Sequence, residues 1–442
     1  MKISRLLPVI LFLAVQQVPS YAQSAGPNDA KATLAHTVDR STRTAAPVGN
    51  ESTVDTFIEQ ALKANPRLQA AKTRVAGAQR RIPQAGAWDD PQVGIEFYAT
   101  PVTSANPFKD GTETDYFIQQ MFPLGGKKSL MADAAEAGSR MAEQSAVSSE
   151  RDLRSDVKKA YAMVFSAQRR IDVNSENQRL LRQIVESART RYTVGLLTQG
   201  DVLKVQVELA KLENERSMLD QELVNGTAMI NALRGLPVNT PVGRVADVPL
   251  VAVTDSSQEL TVRALEVRPE LRGMTYELEM NKAELAVSEK ERIPDLMVRG
   301  MYKQMKEGTD QWDAMFSINL PFAPWSSGKY SGRVEENELA VRATEQSLQD
   351  MRNMIQAEVR DAWSKTASRW QQIERYRQTI LPQSDQALEA TLAAYETNKT
   401  DFLSLLDSYR MVQMLKMDYY MLVGEYYTNV AQLERAVGTD IR

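Results

Sequence analysis

One spacing governs this chain of 442 residues. Asn65-Pro66-Arg67-Leu68 returns as Arg268-Pro269-Glu270-Leu271, residue 268 against residue 65, a step of 203. Pro91-Gln92-Val93 returns as Pro294-Asp295-Leu296, 294 against 91, and Tyr192 returns as Tyr395, each again a step of 203. Between these anchors, Phe122-Pro123 through Gly126-Lys127 answers Leu320-Pro321 through Gly328-Lys329 with a few inserted residues. The chain is a tandem duplication of one unit, at about 51–235 and 259–438, joined by a segment 236–258 rich in Pro, Val and Asp. Whatever one unit does with its apolar surface, the fold has to accommodate twice.

Each unit has the same internal order. Helices are expected at about 53–64 with 67–87, and at 259–267 with 270–291. Two strands follow in each unit, at about 92–99 and 114–122, then 295–302 and 312–320, with polar loops 100–113 and 303–311. Val93, Ile95 and Phe97 alternate with Gly94, Glu96 and Tyr98, the period of a two-faced strand. A very long helical hairpin closes each unit. From Leu153 to Tyr192, twelve positions at alternating 4,3 spacing hold ten apolar residues, and Phe402 to Val437 repeats the pattern. Sustained heptads of this kind imply left-handed supercoiling. A helix from about Lys127 to Tyr192 would be ~100 Å long at 1.5 Å per residue.

These elements impose a constraint on each other. Strands of 8–10 residues are long enough to cross a bilayer when tilted, yet two hairpins supply only four strands, too few to close a barrel. Open edges do not survive in lipid, so embedded strands would have to be shared among subunits, and three copies would give 3 × 4 = 12. A small soluble hairpin packed on helices, or a soluble coiled-coil scaffold, would also satisfy the pattern.

The N-terminus points outside the cytoplasm. Lys2 and Arg5 precede an apolar run from Leu6 to Val15, and Pro19-Ser20-Tyr21-Ala22 sets small residues for a cut after Ala22, the anatomy of a secretory signal over 1–22. Residues 23–50 read as a flexible leader. The run is too short to span a bilayer, and no later stretch reaches the ~20 apolar residues that a membrane helix needs. Zero cysteine excludes thiolate metal sites, cysteine nucleophiles and a cysteine-linked lipid, and Gln23 after the cut implies an unlipidated mature N-terminus. A single histidine, His36 in the leader, makes imidazole-based catalysis or a metal cage improbable. With 53 Lys+Arg against 57 Asp+Glu there is no basic footprint for nucleic acid. No phosphate loop, cofactor motif or catalytic constellation is present, and no enzymatic activity is expected. The 19 Met are scattered and read as gap-filling core, with Met411, Met414, Met417 and Met421 in one helix. Aromatics near the strand ends (Tyr98, Tyr116, Phe117, Phe122, Trp312, Phe316, Phe322, Trp325) suit either an interfacial girdle or a strand-to-helix junction, while Trp363 and Trp370 read as packing residues.

With the duplicated unit, Ala61-Leu62-Lys63-Ala64-Asn65-Pro66 paired with Ala264-Leu265-Glu266-Val267-Arg268-Pro269, and Tyr192-Thr193-Val194-Gly195-Leu196 followed by Asp201-Val202-Leu203, the chain resembles the TolC family of outer-membrane efflux ducts over about 51–438. The resemblance implies a mainly helical fold with a β-barrel contribution: a homotrimer whose 12-strand barrel in outer-membrane lipid continues into a periplasmic α-helical barrel. It implies partnership with a periplasmic adaptor and an inner-membrane transporter of the RND or ABC type, and no cofactor. By the same resemblance Val194, Gly195 and Leu196 in the first turn would meet the adaptor hairpin, with Asn398 and Lys399 at the second turn, where the Val-Gly-Leu signature is missing. Asp407 matches an acidic position lining the tip constriction, where three copies would favour cations. A second acidic position, about four residues upstream in some relatives, is not matched here, where Ser404 lies three before Asp407, so the ring would carry half the charge; Asp201, Tyr192 and Tyr395 match residues that hold the tip closed. The Asp90-Pro91-Gln92 and Met121-to-Lys127 segments look most like the heavy-metal branch, which makes metal cations the expected substrates, with drug efflux and type I secretion as alternatives.

Overall fold

A computed structural model describes residues 52–195, 197–397 and 399–441. The signal, the leader with His36, and the turn residues Leu196 and Asn398 lie outside the described residues.

The first unit opens with α1 (Val54–Ala64) and α2 (Pro66–Gly86), separated by Asn65, whose side chain caps α2 by accepting from the Leu68 N–H at 3.1 Å. Strand β1 (Gln92–Tyr98), a single turn of helix α3 (Pro107–Asp110) and strand β2 (Glu113–Phe122) follow. Helices α4 (Lys127–Thr193) and α5 (Gln199–Leu233) complete the unit, α4 alone running 67 residues, about 100 Å. The second unit repeats the order with α6 (Ser257–Val267), α7 (Pro269–Lys290), β3 (Leu296–Met305), β4 (Gln311–Ile318), α8 (Ser327–Arg375), α9 (Leu381–Glu396) and α10 (Phe402–Val437). Of the twelve heptad positions in α4, nine are buried, Ile171 and Gln178 are half-buried and Tyr192 is exposed.

Three expectations need correcting. Strand β3 runs to Met305 rather than 302, because Lys303, Gln304 and Met305 pair with Asp115, Thr114 and Glu113 of β2, leaving a loop of only 306–310. The long helix of the second unit is not uniform: a π-turn, Tyr376–Ile380, joins α8 to α9. Pro382 follows at once, and a proline there has no N–H for the carbonyl one turn back and crowds it, which a wider turn relieves. Third, the joint between the units, whose composition reads as that of a linker, is a docked strap. Val245 is fully buried, Ala246 N–H donates to the Ser52 carbonyl at 3.1 Å, and the Tyr161 hydroxyl donates to the Ala246 carbonyl at 2.7 Å. The hydroxyls of Tyr426 and Tyr427 donate to the carbonyls of Val251 and Val248.

The four strands form one antiparallel sheet in the order β1-β2-β3-β4, so the two units meet at the β2–β3 pairing, and among the described residues β1 and β4 each keep one unpaired edge. Residues directly opposite share a face. One row is Ile95, Tyr116, Tyr302, Trp312; with Val93 opposite Ile118, Val298 opposite Phe316 and Leu296 opposite Ile318 it makes an apolar face. The other face is charged: Glu96, Asp115, Lys303 and Gln311 form one row, Lys303 pairs with Asp313 at 2.9 Å, and Arg299 pairs with Glu96 and stacks 3.7 Å above the Phe117 ring. Of the aromatics expected at a girdle, Tyr116, Phe122, Trp312 and Phe316 lie on the apolar face, whereas Tyr98 and Phe117 fall on the charged one because their positions have the opposite parity. No helix among the described residues is long and apolar enough to cross a membrane.

Candidate functional site

The sequence directs attention to the far ends of the helical hairpins. In the first turn α4 ends at Thr193, the Gly195 N–H donates to the Tyr192 carbonyl at 3.0 Å, and Gly195 adopts φ +78°, a left-handed conformation that costs glycine least. Val194 is 65% exposed beside it. Thr198 then caps α5: its Oγ1 accepts from the Asp201 N–H at 3.2 Å, while the Asp201 carboxylate accepts from the Thr198 N–H at 3.2 Å and its hydroxyl at 2.7 Å.

The second turn sits 203 residues on and inverts this chemistry. Asp401 occupies the cap position of Thr198, and Ser404 that of Asp201. The Asp401 carboxylate accepts from the Ser404 N–H at 2.8 Å, and this bond and the Ser404 hydroxyl hold its carboxyl below the ordinary 3.8. Lys399 is exposed, and its N–H donates to the Ala394 carbonyl at 2.8 Å. Asp201 and Ser404, two of the aperture candidates, are thus both engaged in starting a helix.

A shared core binds the two hairpins: Leu181, Val185 and Ala188 of α4, Val202, Val205 and Leu212 of α5, and Phe402, Leu406 and Tyr409 of α10. Tyr395 packs on Phe402 at 5.9 Å between ring centroids, and the Arg191 guanidinium lies 4.6 Å above the Tyr395 ring, a cation–π contact from the first hairpin to the second. Its neighbour Tyr192 is 46% exposed. The Tyr409 hydroxyl donates to the Asn177 carbonyl at 3.0 Å, and burial pushes its pKa upward.

Asp407 projects from α10 with its carboxylate largely exposed and 3.1 Å from Arg410. Arg410 also reaches Glu208 of α5 at 2.5 Å, and Lys211 lies 3.5 Å from Glu208. The acidic position is therefore part of a four-charge network rather than an isolated carboxylate. The structure brings Asp407 to one face of α10 and Tyr395 to the contact between hairpins; Val194, Gly195 and Asp201 gather at the first turn, and Lys399 and Ser404 at the second. Arg191, Glu208 and Arg410 were missed. Arg410 carried a signal, three residues past Asp407 on the same helical face; Arg191 and Glu208 had none, since their partners come from other helices. No group of three or more Asp, Glu or His side chains able to hold a metal occurs among the described residues.

The geometry has close parallels. The profile of the family described as outer membrane efflux protein matches residues 57–235 and 260–439, so each structural unit is one copy of it. The chain is 24% identical over 394 residues to the cobalt-zinc-cadmium resistance protein CzcC of Cupriavidus metallidurans, covering 87% of this chain and 90% of that one. It is 22% identical to the outer membrane protein TolC of Vibrio cholerae over 73% of this chain and 75% of that one. The solved structure of CusC, a transmembrane channel, superposes with a TM-score of 0.74 at 16% identity over 88% of this chain and 92% of that one. With both halves matched and the fold shared from sheet to turns, the chain belongs to the outer membrane efflux protein family.

Proposed function

We propose that the protein is the outer-membrane exit duct of a tripartite efflux pump, passing substrates without chemistry of its own. The carrying observation is the sheet: one apolar and one charged face, with both edges open, which lipid tolerates only if the edges are paired between subunits. A homotrimer completes a 12-strand barrel with the charged face toward water and the apolar face toward outer-membrane lipid. The long helices then continue as a tube into the periplasm. The turn residues Val194, Gly195 and Leu196, with Asn398 and Lys399 as the second contact, receive a periplasmic adaptor, which couples the duct to an inner-membrane transporter of the RND or ABC type. Asp407, together with Asp201, Ser404, Tyr192 and Tyr395, lines or holds the constriction at that end. Similarity over most of both chains to a cobalt-zinc-cadmium resistance protein supports heavy-metal cations as substrates.

The test is direct. Detergent extraction of membranes should yield a heat-modifiable trimer that forms channels in planar bilayers, and a detergent-independent soluble monomer would refute the duct. Asp407→Ala should raise single-channel conductance or weaken block by cations; no change in either removes Asp407 from the aperture. Deletion of the gene should sensitise cells to metal salts, and increased drug sensitivity with unchanged metal sensitivity would reassign the substrate.

A further inference from the structure

The sheet joins the helices at one end and is closed by its own loops at the other, 99–112 between β1 and β2 and 306–310 between β3 and β4. The loop end is built over the apolar face. The Lys306 N–H donates to the Thr112 carbonyl at 3.1 Å, in step with the β2–β3 register, so Lys306 keeps the parity of Tyr302 and Gln304 and stands on the apolar side. In the next row down, Phe97 lies opposite Thr114, and Thr114 opposite Gln304. The Phe108 ring of α3 meets the Phe97 ring edge-on with 4.5 Å between centroids, so the first loop folds over the same side and leaves Phe108 64% exposed. Lys306 Nζ donates to the carbonyl of Lys109, the residue after Phe108, which ties the loops of the two units together.

The lysines of this rim differ from the other cations of the sheet. On the charged face Lys303 is held by Asp313 at 2.9 Å and Glu113 at 3.5 Å, and Arg299 by Glu96. Lys109 and Lys306 are exposed and form no ion pair among the described residues. Two of the nearby carboxylates shape the loops instead: Asp110 accepts from the Ser104 hydroxyl at 2.6 Å, and Asp310 from the Met305 N–H at 3.1 Å and from the Tyr302 hydroxyl. Glu307 is the exposed carboxylate that remains beside Lys306. Ammonium groups on flexible stems, set just beyond exposed aromatic rings, suit a partner that is apolar on one side and anionic on the other. A phosphate fits that order, because lysine meets it as a mobile point charge with no fixed geometry to satisfy.

We propose that the loop rim formed by Phe108, Lys109 and Lys306 is a docking site for a phosphate-bearing lipid of the outer leaflet, with acyl chains against Phe97 and Phe108 and the phosphate at the two ammonium groups. The leaflet rests on the duct reading: if the helices extend into the periplasm, the loop end of the sheet meets the outer surface. The affinity for a lipid phosphate rests on the rim alone. Three copies would fasten the barrel to the leaflet at a fixed depth, outside the path of the exported substrate.

The full-length protein, purified in a neutral detergent, should retain diphosphoryl lipid A through gel filtration and bind it in a titration, with an affinity that falls as salt is raised. Lys109→Ala/Lys306→Ala should weaken that binding by roughly tenfold or more, whereas Lys109→Arg/Lys306→Arg should retain it and Glu307→Gln should bind at least as tightly. Phe108→Ala, titrated in parallel, should also bind more weakly and serves if the double variant misfolds by circular dichroism. Equal binding of the dephosphorylated glycolipid, competition by inorganic phosphate at the concentration of the lipid, or unchanged affinity in the variants would overturn the site. Planar-bilayer recordings keep the two readings apart. A wild type that forms channels without preferring the phosphorylated lipid removes the site and leaves the duct, whereas one that binds the lipid but forms no channel leaves the site and removes the duct.

Discussion

At the scale of single residues, three tyrosines of α10 away from the turns hydrogen-bond while buried or half-buried. Tyr426 and Tyr427 on α10 hold the strap between the units by donating to backbone carbonyls, and Tyr409 does the same to Asn177 between hairpins. Burial raises all three phenols from their ordinary value of 10.0, Tyr426 to about 12. A raised folded-state value gives stability that is fully present below pH 10. That stability is lost as the pH rises toward the folded value, because the unfolded chain then releases protons that the folded chain retains. The melting temperature is therefore expected to hold steady from pH 7 to about 10 and to fall between about 10 and 12. Circular dichroism melts should show that slope, and Tyr426→Phe/Tyr427→Phe should flatten it at a lower starting stability. A slope identical in the variant would assign the alkaline loss elsewhere. The first cap makes a second residue-scale prediction: Thr198→Ala removes one side of a reciprocal cap and should cost about 1 kcal/mol. Hydrogen exchange should report this as faster opening of the first turn of α5, with the core of α4 unaffected.

At the scale of elements, much was legible because periodicity is a local property. The 4,3 spacing marked α4 to within one residue of its end, and alternation placed β1 within one residue of its own. What stayed hidden depended on neighbours distant in sequence. The extra residues of β3 exist because β2 offers them partners, and the strap looked like a linker because its restraints come from tyrosines on α4 and α10. The π-turn had a visible cause in Pro382, yet a proline in a helical pattern predicts a kink, a break or a wider turn with equal force. Asp407 was singled out only by the family resemblance, since its counterpart in the first unit is Lys204, and its link to Glu208 through Arg410 needed the α5–α10 juxtaposition. Helix approach is a further property that sequence does not announce. At Gly424 a Cβ would stand 2.7 Å from the Cβ of Ser166, so α10 lies against α4 with no room for a methyl group. Gly424→Ala improves helix propensity by about 1 kcal/mol, but overpacking of this kind costs about 1–3 kcal/mol, so a net loss of stability is expected. Adding Ser166→Gly should restore part of it in a double-mutant cycle; additive losses would show that the two positions do not meet.

At the scale of the whole molecule, the sheet offers the test between a duct and a soluble scaffold, because its apolar face is exposed, with Val93 at 77%, Trp312 at 79% and Phe316 at 70%, and a lipid bilayer and water would treat that face oppositely. Phe316 lies on the apolar face of β4 and its sequence neighbour Ser317 on the charged face, so the two positions share strand, edge and local propensity and differ only in what they face. In water, arginine at exposed Phe316 would be harmless or helpful, since it removes an unshielded aromatic. In a barrel the same arginine sits in hydrocarbon and should cost about 2–4 kcal/mol per subunit near the midplane, about three times that in a trimer, enough to halt assembly. Ser317→Arg points at the water-filled side, among Gln311 and Asp313 of the same strand face, and should be tolerated. Expressed in a Gram-negative host, Phe316→Arg should vanish from the outer-membrane fraction and lose its heat-modifiable trimer, while Ser317→Arg retains both. Equal behaviour of the two variants would mean that the sheet never meets lipid, and the long helices would then have to be explained as a scaffold in water.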